Sequence, residues 1–240
     1  AVARLILHAY TWPGDIYGDE APKWIAANLL CDLGMVEIPE TFWIHEDDLD
    51  DRQRDEVKKH PGLGVERLES VRGLPEDCLE LIKCHHYRGS GEGYPTDTDD
   101  WSTERQKLAL VDAVESMTAP RLRRDPHSPS NVFQKLNDIF TDVDQKLVQD
   151  LSTKVGSCPP GSMIRLDNGD VALVEEANES DSGPVYRPLI MEGEKITDIG
   201  KLMDPNGANR TIESTPRARV APWSVRRVRW KYDDSLSVMN

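Results

Sequence analysis

Residues 84–95 read CHHYRGSGEGYP: two adjacent histidines, His85 and His86, stand at what reads as a helix end, followed by a glycine-rich loop that closes on Gly93-Tyr94-Pro95. Neighbouring positions on a helix do not share a face. Two imidazoles side by side that enter one cavity therefore need something between the rings, and a metal ion is one such thing. Just upstream, Pro75-Glu76-Asp77 opens the helix that carries the pair, with proline suited to its first turn and two acids suited to its dipole. Outward from there, residues 19–33, 48–59, 102–117, 130–140 and 143–155 carry helical periodicity, with Gly34 and Pro61 as stops. Nothing between Asp19 and Lys154 alternates like a strand.

The texture changes at Ser157-Cys158-Pro159-Pro160-Gly161. Residues 163–166 and 171–174 read as two short strands joined through Asn168-Gly169, and 185–191 and 194–197 read as further strands. The expected fold is mainly α. It has a helical domain at 1–156, incomplete at its N-terminus because the chain begins without methionine in the apolar run 2–7, and a small β-rich extension at 157–240.

Composition narrows the function classes. With 240 residues, 38% apolar and 30% charged, the chain is ordinary for a globular protein. No apolar run approaches the roughly 20 residues that cross a bilayer, and residues 1–7 are too short and too weakly basic for a signal peptide. No membrane span and a cytoplasmic location are therefore expected. A net charge of −14 argues against DNA or any broad nucleic-acid surface. Acidic runs at 46–51 and at Asp97, Asp99 and Asp100 contrast with basic runs at 121–124 and 217–231. A small anionic ligand beside Arg121 is the functional reading of the first basic run, and a solvated loop is the plainer one. Cys31, Cys78, Cys84 and Cys158 lack paired spacing, which argues for reduced core thiols.

Cys31-Asp32, His60-Pro61, His85-His86 and Asp112 each interrupt or cap an apolar helical segment. One buried His or Asp is ordinarily structural, with a satisfied hydrogen bond. Asp112, however, lies within LALVDAVESM, where an ionised carboxylate needs a cation or a donor. Carboxylates grouped with neutral imidazoles suit divalent transition metals: iron or manganese first, zinc or nickel next.

These motifs make the sequence similar to the HD-GYP domains of bacterial cyclic-dinucleotide signalling, a branch of the HD phosphohydrolases. LLCDLGMVEIP at 29–39 resembles that family's LLHDIGKIxIP, VKKHPGLGVERL at 57–68 carries its His-Pro, and HHYRGSGEGYP at 85–95 follows its HHExxDGxGYP. RQKLALVDAVESMTAPR at 105–121 keeps Asp112, Thr118 and Arg121 in step with the helix bearing its last metal carboxylate. The resemblance covers residues 27–150, and PPGSMIRLDNGDVALV resembles the tail many members carry. It implies an HD-type helical bundle whose metals activate water against cyclic di-GMP. In that scheme Asp32 bridges two ions, His60 and His85 hold the second, Asp112 ligates, and His86 faces substrate or a further metal. Asp32, His86 and Arg88 would act in catalysis, and Cys31 as thiolate and His8 are further candidate ligands. Arg88, Gly93, Tyr94, Pro95 and Arg121 would meet a cyclic dinucleotide or a diguanylate-cyclase (GGDEF) partner.

The departures bear on turnover. Cys31 stands where the family has the histidine of its HD pair, Met35 where it has lysine, Tyr87 where it has glutamate and Ser90 where it has aspartate. Losing one charge-stabilising contact commonly costs about 100- to 1000-fold in rate. The reading is a degenerate domain, with weak or no hydrolysis, that acts by binding metal, dinucleotide or partner. The alternatives are an active cyclic di-GMP phosphodiesterase yielding linear dinucleotide or GMP, and an empty, hydrogen-bonded relic that holds no cofactor.

Overall fold

The computed structural model describes residues 1–44, 49–90, 93–96, 100–119, 127, 129–156, 163–176, 185–192, 195–203 and 212–214. Arg121, Cys158, Asp97, Asp99, the 46–48 acidic run, both basic runs, Glu194 and the 157–161 junction lie outside the described residues.

The chain separates into two units, Ala1–Ser157 and Cys158–Asn240. In the first, helices follow one another as α1 (Val2–Thr11), α2 (Pro13–Tyr17), α3 (Ala21–Leu30), a 3-10 turn (Leu33–Glu37), α4 (Glu40–Ile44), α5 (Asp51–Val57), α6 (His60–Leu68), α7 (Glu76–Cys84), α8 (Thr103–Thr118), α9 (Pro129–Ile139) and α10 (Gln145–Val155). The mainly helical expectation holds, and local chemistry fixes many of the boundaries. Asp50 and Gln53 form a reciprocal capping box at the start of α5. The Ser102 hydroxyl caps α8, and the Asp144 carboxylate caps α10. Pro75 sits at the cap position of α7, one place earlier than the first-turn position its sequence suggests.

The centre of this unit is α8, whose Leu108, Ala109, Leu110 and Val111 are all fully buried. Around it pack Trp24 and Ala27 of α3, Leu81 and Ile82 of α7, Leu136 of α9 and Leu151 of α10. Burying such aliphatic and aromatic side chains contributes about 1.5–3 kcal/mol each before chain entropy is subtracted.

Helix α1 inverts the usual pattern. Arg4, His8 and Thr11, spaced i, i+4, i+7, are its buried residues, while Val2, Ile6 and Tyr10 are more than half exposed. The segment read from sequence only as an apolar run thus turns a polar face into the unit.

The second unit is a five-stranded antiparallel sheet in the order β4-β3-β2-β1-β5, formed by Met163–Leu166 (β1), Val171–Glu176 (β2), Val185–Glu192 (β3), Lys195–Ile199 (β4) and Ile212–Ser214 (β5). β1 and β2 pair with Ile164 opposite Ala172, and their turn uses Gly169 at φ +86°, a conformation glycine adopts without steric cost. Ile164, Leu166, Ala172, Val174 and Tyr186 form a small core. The alternation of burial along β1 is what a half-buried strand requires.

Candidate metal centre

Helix α7 ends at Cys84, and its cap residue His85 keeps helical angles (φ −65°, ψ −17°) before the chain leaves the helix. That exit lets adjacent side chains enter one cluster: the His85 and His86 ring centroids lie 4.0 Å apart. His60 arrives at the start of α6 from the opposite side, with its ring centroid 5.2 Å from each of them. Asp32 follows α3 at the head of the 3-10 turn. One ligand atom from each of Asp32, His60, His85 and His86 falls within 4.8 Å of all the others.

Two glycines set this geometry. A Cβ on Gly34 would collide with the His60 carbonyl oxygen, so only glycine lets the turn after Asp32 lie against the start of α6. A Cβ on Gly93 would collide with the His86 carbonyl oxygen, where the Tyr94 amide donates back to the same oxygen at 3.0 Å. The Tyr94 ring consequently lies 4.7 Å from that of His86, at 35° between planes.

The hydrogen bonds define the electronic state of the imidazoles. His60 Nδ1 faces the Val57 carbonyl at 2.8 Å, and His85 Nδ1 faces the Ile82 carbonyl at 2.7 Å. A carbonyl oxygen only accepts, so both Nδ1 atoms carry hydrogen, which leaves each Nε2 as the ring atom that a proton or a metal ion can share. Those two Nε2 atoms face each other at 3.2 Å, with Asp32 Oδ1 at 3.6 and 3.7 Å. At that separation the two nitrogens need a proton or a metal ion between them. A proton links two donors, whereas this cluster offers four, including His86, and that is the count a borderline divalent ion uses. Backbone carbonyls holding the far ring nitrogen are also the usual way of orienting metal-binding histidines. The residues present fit an ion.

Burial, followed by the neighbouring His85, pushes His60 down to about 4. The same two causes, with His60 added, hold His86 well below the ordinary histidine range. Both rings are thus kept in the neutral, ligating form. Burial opposes the charge of Asp32, but His85 and Arg4 outweigh it and hold the carboxyl well below its usual range. The Asp32 side chain is 43% exposed and that of His86 24%, against 4% for His60 and 0% for His85. The cluster therefore has an imidazole floor and opens on the side of Asp32 and His86.

A second group of ligand-type side chains adjoins the first. Asp112, on α8, has Oδ2 3.8 Å from His86 Nδ1 and Oδ1 3.3 Å from Nη2 of Arg4. Burial raises its carboxyl, with Arg4 acting in the opposite direction. Arg4 also donates from Nη1 to Cys31 Sγ and from Nη2 to Asp32 Oδ2, at 2.5 Å in the second case. Burial, followed by Asp32, pushes the Cys31 thiol well above its ordinary value, while its Sγ faces the Arg4 guanidinium. Arg4 escaped the sequence reading because it stands in an apolar run. The i, i+4, i+7 spacing of Arg4, His8 and Thr11 was the available signal.

The other candidate residues lie nearby or apart. His8 does not join the cluster: its Nε2 faces Asp15 Oδ2 at 3.0 Å and its Nδ1 faces the Asn28 amide at 3.2 Å. The Arg88 guanidinium stacks 4.2 Å over the Phe140 ring and donates to the Tyr87 carbonyl. Burial lowers its pKa, with Asp112 acting in the opposite direction. The Ser90 amide binds Asp142 Oδ2 at 2.9 Å, and Met35 lies within the 3-10 turn. Gly93, Tyr94 and Pro95 are part-exposed beside His86.

The model of the HD domain family matches residues 20–147, more than half of the chain. Among curated proteins, the chain is similar to a cyclic di-GMP phosphodiesterase of Pseudomonas aeruginosa, with 22% identity over 83% of this chain and 49% of that protein. It is 30% identical to a 3′3′-cGAMP-specific phosphodiesterase of Vibrio cholerae over 50% of this chain and 24% of that one. A cyclic di-GMP phosphodiesterase of Borreliella burgdorferi is 21% identical over 71% of this chain and 45% of that one. The chain thus spans half or less of the length of these relatives.

Proposed function

The chain belongs to the HD domain family, and from that premise we propose that it holds a divalent transition metal on Asp32, His60, His85 and His86 and binds a cyclic dinucleotide there, with hydrolysis weak or absent. The observation that carries the reading is the convergence of one ligand atom from each of these four residues within 4.8 Å, with the Nε2 atoms of His60 and His85 3.2 Å apart beside Asp32. Cyclic di-GMP and 3′3′-cGAMP are the ligands named for the curated relatives, and they are the ligands proposed here. Held in this cluster, a divalent ion supplies Lewis-acid polarisation of a phosphodiester oxygen.

The chain's own residues do the rest. The open side at Asp32 and His86 admits the phosphodiester, and Tyr94, stacked beside His86, offers a flat contact for a base. Arg88 lies two residues beyond the pair, with its guanidinium held over Phe140. The same Gly93-Tyr94-Pro95 surface is the proposed contact for a diguanylate-cyclase partner. Residues 1–156 are proposed as the binding domain and 157–240 as a separate extension.

Weak turnover is favoured by Cys31 and Met35, which stand where the resembled family has imidazole and ammonium. The retained Asp32, His60, His85, His86 and Asp112 favour the second reading, an active phosphodiesterase. Loading chelator-treated protein with manganese or ferrous iron and presenting cyclic di-GMP and 3′3′-cGAMP separates the two. Calorimetric binding that depends on the ion, with negligible linear dinucleotide by chromatography, is the expected result. Multiple turnover to linear product or GMP establishes the enzyme instead, and no binding of either nucleotide removes both readings.

A further inference from the structure

The Arg4 side chain is 3% exposed, and its guanidinium is enclosed by ligand-type groups from three elements. Nη1 donates to Cys31 Sγ, and Nη2 donates to Asp32 Oδ2, lies 3.3 Å from Asp112 Oδ1 and lies 3.7 Å from Glu115 Oε2. Asp32 is shared: Oδ2 pairs with Arg4, while Oδ1 faces His60 and His85 at 3.6 and 3.7 Å. The polar cluster is therefore two adjoining cation positions joined by one carboxylate. A thiol and two or three carboxyl groups around one point are a ligand set in their own right, and here they are satisfied by a side chain of this protein. Arginine cannot be deprotonated within a protein, so this positive charge is permanent.

We propose that Arg4 is a tethered cation in a two-cation site, so that the chain takes one exchangeable divalent ion, on the imidazole side, and its other half resists chelation. The inference rests on the metal reading above and deepens it. A guanidinium balances carboxylate charge and orients Asp32, but it has no vacant orbital with which to bind and acidify water. The Arg4 half of the site therefore positions Asp32 without taking part in water activation, which agrees with a binding role. The inward position of Arg4 on α1 has the same explanation, whereas His8 on that face is held by Asp15 and Asn28.

The test counts ions. Chelator-treated full-length chain, titrated with manganese and desalted, is analysed for metal and by electron paramagnetic resonance. The parent is expected to saturate at about one equivalent with the spectrum of an isolated ion, and Arg4→Lys, which keeps the charge, at the same level. Arg4→Ala frees Cys31, Asp32 and Asp112 and is expected to rise toward about two equivalents, with coupling between the ions. Two or more ions in the parent overturn this inference while the metal reading stands; no ion in the parent removes both. If Arg4→Ala folds yet stays at one ion with affinity within about threefold of the parent, Arg4 is a bystander and the inference fails. If Arg4→Ala does not fold, the count in the parent decides alone.

Discussion

The two halves of the polar cluster share Asp32 yet are built on opposite principles. On one side the Arg4 guanidinium meets buried Cys31 and Asp112 and part-exposed Asp32, so these acceptors face a permanent donor supplied by the chain. On the other, His60, His85 and His86 bring electron pairs to a common point with no protein cation among the described residues between them. The acceptors of the first half meet their donor as the chain folds. The second is complete only with something from solution, a proton at acid pH or a metal ion. On the proposed reading, one half serves stability and the other ligand binding, although their atoms lie a few ångströms apart.

The largest expected effect breaks the satisfied half. Removing one partner of a buried ion pair leaves the other uncompensated, so Arg4→Met should cost about 3–5 kcal/mol in urea unfolding of the metal-free protein. A loss below about 1 kcal/mol would mean that Asp32 and Asp112 are neutralised by protons instead.

Acid acts on the other half. The folded pKa values of His60, His86 and His8 all lie below the ordinary histidine value, His60 at about 4. A base with a depressed folded pKa stabilises fully above its unfolded pKa and loses that contribution as pH falls toward the folded one. Between about pH 6.5 and 4 the metal-free protein should therefore lose stability, on the order of 3 kcal/mol from His60 alone. Asp112, raised by burial, opposes this in part. Flat stability across that window, measured by denaturant titration, would mean that the imidazoles are already charged.

Metal loading sharpens the contrast further. At a free manganese concentration about 100 times the dissociation constant, the parent should gain about 2.7 kcal/mol. His85→Ala should gain almost nothing, and an equal gain in both would place the ion elsewhere. A smaller effect follows from Gly34→Ala, which forces the turn after Asp32 away from α6. Overpacking of this kind costs about 1–3 kcal/mol, and it should weaken manganese binding because His60 moves while Arg4 does not. The smallest concerns Tyr94→Ala: stacking beside His86 should be worth about 1 kcal/mol of dinucleotide binding, with melting temperature and metal content unchanged. Calorimetry that finds full affinity in this variant would take Tyr94 out of the recognition surface.

What the chain's sequence determined was the class of fold; it also named Asp32, His60, His85 and His86, whose ligand atoms the structure brings together. Periodicity around Leu108–Val111 and Leu81–Ile82 marked the buried helical faces, the turn residues Asn168-Gly169 marked the first hairpin, and ordered motifs marked Asp32, His60, His85, His86 and Asp112. The first two are local signals, carried by spacing within a helix or a turn, whereas the ordered motifs are what the resemblance to HD-GYP domains supplied. Several elements escaped: α1, whose polar residues face inward; α6, which begins at the His60-Pro61 that reads as a stop; and β5, whose three residues leave too short a pattern. Only the tertiary structure decided the place of Arg4 and His8. From sequence they are one basic and one imidazole side chain a turn apart near an apolar run. In the fold, Arg4 meets Cys31 and Asp112 across 27 and 108 residues of chain, while His8 is held by Asp15 and Asn28 outside the cluster. Which buried charge meets which partner depends on how α1 lies against α3 and α8, and no periodicity within α1 alone encodes that.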